Sequence, residues 1–281
     1  MNKNVREQFG IRLTNSIAHF GRLCVGIDPS ASSLKQWNLT DSAGGAREYS
    51  LRLIEAAAGH ASVIKPQSAY FERFGYKGIE VLTEICLIAK ESELLVLLDA
   101  KRGDIGSTNM AYADAYLRTS SPIPVDALTV TPYTGVEALM PLIETALEHG
   151  SGLFVLVRTS NPEGQSIQIA KTQSGIQVSQ QILREISEFN KGLSCGSIGC
   201  VFGATIDPRD YDLANLNAYI LSPGIGTQGA TVEDLKSRFK FFGNQMLPTA
   251  SRSITRVGPN ILELKQAISQ LNSICTEVFL E

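Results

Sequence analysis

The sequence predicts an α/β fold, a single (β/α)8 TIM barrel with an extra N-terminal helix. Three observations point there. Eight short apolar runs of β character recur along the 281 residues, longer amphipathic stretches alternate with them, and no composition step or Gly/Ser linker separates two halves. Such alternation builds βα units and a parallel sheet. Eight units over about 250 residues suit a closed barrel better than an open doubly wound sheet. No internal repeat of solenoid period is present, so one domain spanning residues 1–281 is expected.

The elements follow in order. Residues 5–20 form the extra helix, placed to cover the barrel bottom. The strands are 22–27, 62–65, 94–99, 125–130, 153–157, 199–203, 218–221 and 246–250. Helix candidates lie at 42–59, 76–91, 107–119, 135–148, 175–190, 208–215, 231–242 and 259–273. The sixth helix is short, and Pro248 removes a ladder donor from the eighth strand.

Composition removes several classes of function. The net charge is −3 and the pI near 5.7, so no global positive field attracts a polyanion and nucleic acid is not expected as a partner. Apolar runs such as Leu94-Leu95-Val96-Leu97-Leu98 end at charges, far short of the roughly 20 residues that cross a bilayer. The mixed-charge start lacks the apolar stretch of a secretory signal, which leads to an expected cytoplasmic location. Cys24, Cys86, Cys195, Cys200 and Cys275 are odd in number with no C-x-x-C pair and read as reduced and mostly buried. His19, His60 and His149 are far apart, and no metal cage or cofactor motif is visible; neither metal nor cofactor is expected.

Active sites of parallel α/β barrels sit at the carboxyl ends of the strands, and polar residues crowd those ends here. Strand one ends in Asp28-Pro29, strand two in Lys65-Pro66-Gln67, strand three in Asp99-Ala100-Lys101-Arg102-Gly103-Asp104, and strand five in Arg158-Thr159-Ser160-Asn161-Pro162. Asp99 and Lys101 are two apart on an extended segment and so point to one side, toward the barrel mouth. Gly103 permits a sharp turn that can bring Asp104 back to the same space, and Ser107 or Thr108 can cap the next helix. Two carboxylates would then flank one ammonium, with Lys65 supplying a second. Such a cluster stays ionised because its charges alternate.

A second signal follows strand seven, in Ser222-Pro223-Gly224-Ile225-Gly226-Thr227-Gln228-Gly229. Barrels often bind phosphate with the loops after strands seven and eight. Gly224, Gly226 and Gly229 let backbone N–H groups approach an anion, and a helix starting near Thr231 offers its positive end. Strand eight then delivers Arg252, whose planar fork suits phosphate.

Together these residues resemble the orotidine 5′-monophosphate decarboxylase family. The D-x-K-x-x-D-I-x-x-T element stands as Asp99, Lys101, Asp104, Ile105 and Thr108, preceded by Lys65. Asp28, Ser160 in Thr-Ser-Asn-Pro, the Pro-Gly-Ile-Gly-Thr-Gln-Gly loop and Arg252-Ser253 follow the family's order, over roughly residues 22–253. The wording resembles the longer bacterial branch. The resemblance implies decarboxylation of orotidine 5′-monophosphate to uridine 5′-monophosphate, the last step of de novo pyrimidine nucleotide synthesis, without a cofactor. It implies that Lys65, Asp99, Lys101 and Asp104 form the charge network, with Lys101 protonating carbon 6. Asp28 would hold ribose hydroxyls, Ser160 the pyrimidine, and Gln228 and Arg252 the phosphate. Asp104 and Thr108 would reach into a partner's site, which implies a homodimer. One departure is Ser251, where glycine is common before the arginine. Two rivals stay open: a sister decarboxylase or synthase using a metal-stabilised enediolate, and a silent phosphate-binding barrel. Lys65 and Ser160 suit a charge-only site reading a pyrimidine better than the first.

Overall fold

A computed structural model describes residues 6–224 and 237–280. Eight parallel strands close on themselves in chain order, β8 returning to β1. They are β1 (Cys24–Ile27), β2 (Val63–Pro66), β3 (Leu95–Arg102), β4 (Ala127–Val130), β5 (Gly152–Arg158), β6 (Gly196–Phe202), β7 (Ala218–Pro223) and β8 (Met246–Ala250). The expected barrel and its extra helix are therefore present. Helices α1 (Phe9–Phe20), α2 (Ala31–Gln36), α3 (Ala43–Ala57), α4 (Ala69–Glu72), α5 (Tyr76–Glu91), α6 (Gly106–Tyr116), α7 (Met140–Glu148), α8 (Gln165–Gln168), α9 (Val178–Glu188), α10 (Arg252–Thr255) and α11 (Ile261–Leu280) surround it. Ser30 and Ser42 start α2 and α3 by accepting the N–H groups of Ser33 and Gly45, which satisfies orphan donors of the first turn.

Strand residues alternate between two cores. Ile64, Val96, Leu98, Leu128, Leu153, Val155 and Ile220 face the helices. Cys24, Val63, Leu97, Ala127, Phe154, Val201, Tyr219 and Leu247 fill the barrel interior, and Phe9 and Leu13 of α1 close it from below. The two α1 residues are four apart and so share one helix face. Phe9 meets Phe154 edge to face at 6.0 Å, and a Cβ on Gly152 would lie 2.2 Å from the Phe9 ring. Arg12 pairs with buried Asp126 at 2.6 Å, Arg6 joins the same carboxylate, and Asp126 accepts the N–H of Val96 at 2.9 Å. Thus a plug of one aromatic, one leucine and two arginines seals the bottom.

Two expectations need correction. Residues 208–215 do not form an α-helix: between β6 and β7 there is only a 3-10 turn, Ala214–Leu216. The cause is local, since Asp207 folds back onto Arg209 at 2.9 Å, Pro208 lacks an N–H, and left-handed Asn217 ends the segment. The last helix runs to Leu280 rather than stopping at 273. Of the expected helix 231–242, residues 231–236 lie outside the described residues, 237–239 are helical, and a 3-10 segment covers Lys240–Gln245. Pro248 is accommodated within β8, opposite Ser222. None of the five cysteines forms a disulfide; four are buried and Cys195 partly so. Among the described residues no helix is long and apolar enough to cross a membrane.

Candidate active site

Climbing one pleat along the interior positions replaces apolar side chains by polar ones. Above Val63 comes Lys65, above Leu97 comes Asp99, and above Ala127 comes Thr129. These three ends meet. The Lys65 ammonium donates to Asp99 Oδ2 at 2.9 Å, Lys101 Nζ to Oδ1 at 2.6 Å, and the Thr129 hydroxyl also to Oδ1 at 2.9 Å. Gln67 Nε2 and the Ser68 N–H both donate to the Asp99 carbonyl, each at 3.1 Å, so β2 and β3 stay locked at this level. Lys65 and Asp99 are buried, whereas the Lys101 side chain is 46% exposed.

The electrostatics follow from that geometry. Burial pushes the Asp99 carboxyl up, but the Lys65 and then the Lys101 charges outweigh it and hold the group well below the usual carboxylate range. Burial pushes Lys65 down, yet Asp99 and then Asp28 leave it above the ordinary lysine value. Beneath them, burial drives the Cys24 thiol up to about 12, which leaves it an inert packing group.

Asp99 and Lys101 converge by a backbone route that simple alternation misses. β3 pairs Leu98 with Leu128 and then Arg102 with Val130, so two extra residues bulge from the strand. Within the bulge Lys101 takes φ +47°. A non-glycine residue there costs about 1 kcal/mol or more. The conformation is held by the Lys101 N–H on Thr129 Oγ1 at 3.0 Å and by the ammonium on Asp99. Gly103 is required for closeness rather than for positive φ, since a Cβ would sit 2.3 Å from the Thr131 carbonyl oxygen.

The other predicted residues are spread around this mouth. Asp28 ends β1, half-buried, and its Oδ1 has no hydrogen-bond partner among the described residues; the same holds for the hydroxyls of Ser251 and Ser253 beyond β8. Ser160 follows β5 and backs onto Gly203 of the neighbouring strand end. Arg252 opens α10 and is exposed. Ser251 has φ −130°, a negative value, so the position does not call for the left-handed conformation that would require glycine there. Gly224 has φ +114°, which favours glycine; Gly226, Gln228, Gly229 and Thr231 lie outside the described residues.

Asp104 departs from the simple expectation. No ion pair joins it to Lys65 or Lys101 of its own chain among the described residues; its Oδ1 instead accepts the N–H of Ile105 at 2.7 Å. Asp99 and Asp104 therefore do not flank Lys101 together among the described residues of a single chain. Ser107 and Thr108 do not cap α6, whose N-cap is Ile105, and Thr108 is exposed. Sequence reasoning missed Thr129, although a threonine one pleat above an interior alanine was a readable signal. It also missed the Glu72–Arg102 ion pair that ties α4 to the end of β3.

A closed parallel barrel with an ionic cluster at the carboxyl ends of its strands defines an enzyme of the (β/α)8 class. Within that class, the model of the Orotidine 5′-phosphate decarboxylase / HUMPS family matches residues 21–267. The orotidine 5′-phosphate decarboxylase of Salinispora tropica is 46% identical over 270 residues, covering 96% of this chain and 97% of the relative. That of Myxococcus xanthus is 39% identical over 269 residues, covering 94% and 93%. A crystal structure assigned to orotidine 5′-phosphate decarboxylase from Streptomyces avermitilis superposes with a TM-score of 0.97 at 43% identity, covering 100% of this chain and 99% of the other. The chain belongs to the Orotidine 5′-phosphate decarboxylase / HUMPS family.

Proposed function

We propose that this protein decarboxylates orotidine 5′-monophosphate to uridine 5′-monophosphate with charged side chains alone. The observation that carries the reading is Asp99 gripped by two ammonium groups, at 2.9 and 2.6 Å, in the mouth of a barrel of this family. Breaking the bond between carbon 6 and the carboxylate releases CO₂ and leaves the electron pair on an sp² carbon that no ring carbonyl delocalises. Lys101 favours that developing carbanion and delivers its proton to carbon 6. Asp99 lies against the leaving carboxylate, and Lys65 keeps Asp99 ionised. Preorganised charges of this kind stabilise the transition state without reorganising during reaction.

An enzyme near the top of the usual range lowers its barrier by up to ~23 kcal/mol, more than one cluster supplies. In this reading the remainder comes from the nonreacting phosphate, gripped by Arg252, Gln228 and the glycines 224, 226 and 229. Asp28, with its unpartnered Oδ1, takes ribose hydroxyls. Ser160 reads the pyrimidine. Asp104, which makes no ion pair with its own Lys65 or Lys101 among the described residues, and the exposed Thr108 complete the pocket of a second copy, so the active form is a homodimer. The chain acts as one domain, in the cytoplasm, with a small-molecule nucleotide as its substrate.

The test is the ultraviolet absorbance of orotidine 5′-monophosphate incubated with purified protein, with and without a chelator. The expected result is a chelator-insensitive loss of the substrate spectrum that the Lys101→Ala variant does not produce. Loss that a chelator abolishes would contradict charged side chains acting alone, an unchanged spectrum would favour the metal-stabilised enediolate activity or a silent barrel instead, and a variant keeping a tenth of the wild-type rate would remove Lys101 as proton donor.

A further inference from the structure

We propose that Asn109 is a positioning residue for Asp104, its carboxamide clamping both backbone groups of that residue and so setting where the carboxylate points. The inference rests on the reading of Asp104 as a member of the charge network. Asn109 has no exposed surface. Its Oδ1 accepts the Asp104 N–H at 3.0 Å, while its Nδ2 donates to the carbonyls of Asp104 and Ala138, each at 2.6 Å. One side chain thus pairs with Asp104 as a neighbouring strand would, and ties it to the turn after β4. Few side chains can do this, because the task needs one acceptor and two donors on a planar group.

The rest of the segment removes the remaining freedom. Gly103 is pressed against Thr131, the Thr134 hydroxyl adds a bond to the Asp104 carbonyl at 3.1 Å, and the Ile105 N–H holds the carboxylate at 2.7 Å. Asparagine is a poor helix former, and a buried polar side chain at the fourth position of a helix is costly unless its hydrogen bonds are made. Its place in α6 is explained by the Asp104 clamp and not by helix formation. Catalytic geometry is steep in distance, a 1 Å misplacement costing roughly a hundredfold in rate.

Asn109→Ala and Asn109→Asp test this, each made in the wild-type and in the Asp104→Asn background. The aspartate variant keeps the acceptor and size but turns an oxygen toward two carbonyls, so it answers the question if the alanine variant folds poorly. In the wild-type background kcat should fall at least about tenfold, with KM for orotidine 5′-monophosphate moving less than about threefold. In the Asp104→Asn background the same change should alter kcat by less than about twofold, since neighbours acting through one group are non-additive. An equal loss in both backgrounds would mark Asn109 as a purely structural residue and overturn the proposal, as would an unchanged kcat in a folded variant. An inactive wild-type protein would remove the underlying decarboxylase reading, and the inference with it.

Discussion

At the scale of single residues, Asp99 is the hub, and its ionisation depends on its partners. With its pKa depressed, its stabilising contribution is complete above the ordinary carboxylate value of about 4 and is lost as pH falls through the lower folded value. Lys65, raised above its ordinary value, contributes fully below about 10.4 and loses that contribution only as pH climbs through the higher folded value. Both therefore stay charged across the neutral range. Lys65→Met leaves a buried carboxylate with one half-exposed ammonium, which pushes the Asp99 pKa up. We expect a loss of about 3–5 kcal/mol at neutral pH, the usual cost of removing one partner of a buried pair. The loss should shrink near about pH 4.5, where protonation relieves the uncompensated charge. Thermal unfolding at the two pH values checks this, and equal destabilisation at both would contradict it.

At the scale of elements, the legible features were those written in periodicity or composition. Eight of the nine expected helices, all but 208–215, coincide wholly or in part with observed helices, and all eight strands overlap their predicted runs. The cluster of Lys65, Asp99 and Lys101 was readable because charges end apolar strands. The bulge that turns Lys101 to φ +47° was not, since the two extra residues have no local signature and are fixed by pairing with β4. For the same reason Asp104 was expected beside its own lysines. Helices α2, α4, α8 and α10 were missed because each is six residues or fewer, too short for a periodic pattern to show. Helix α1 was expected as a cover and acts as one: its Phe9 fills the base of the barrel, with only 2% of its surface exposed. Phe9→Ala should cost about 3–5 kcal/mol through the cavity it leaves. Chemical denaturation would read this as a lower midpoint with unchanged slope, and a midpoint equal to wild type would remove the plug role.

At the scale of the whole molecule, the barrel separates stability from chemistry along its axis. Below, interior apolar residues and the Arg6, Arg12 and Asp126 staple hold α1 in place. Above, the next interior layer carries Lys65, Asp99 and Thr129, and Asp28 stands beyond. On the proposed reading, this layer becomes a working site only when Asp104 arrives from a second copy. Mixing the inactive Lys101→Ala protein with Asp104→Asn, which keeps a small but measurable residual rate, under conditions that exchange subunits is the sharpest test. Each mixed dimer would hold one site with both lesions and one with neither. The mixture should regain about a quarter of the wild-type rate, the statistical yield for a twofold assembly. Decarboxylation that stays at the level of the separate variants after proven exchange would contradict the shared pocket.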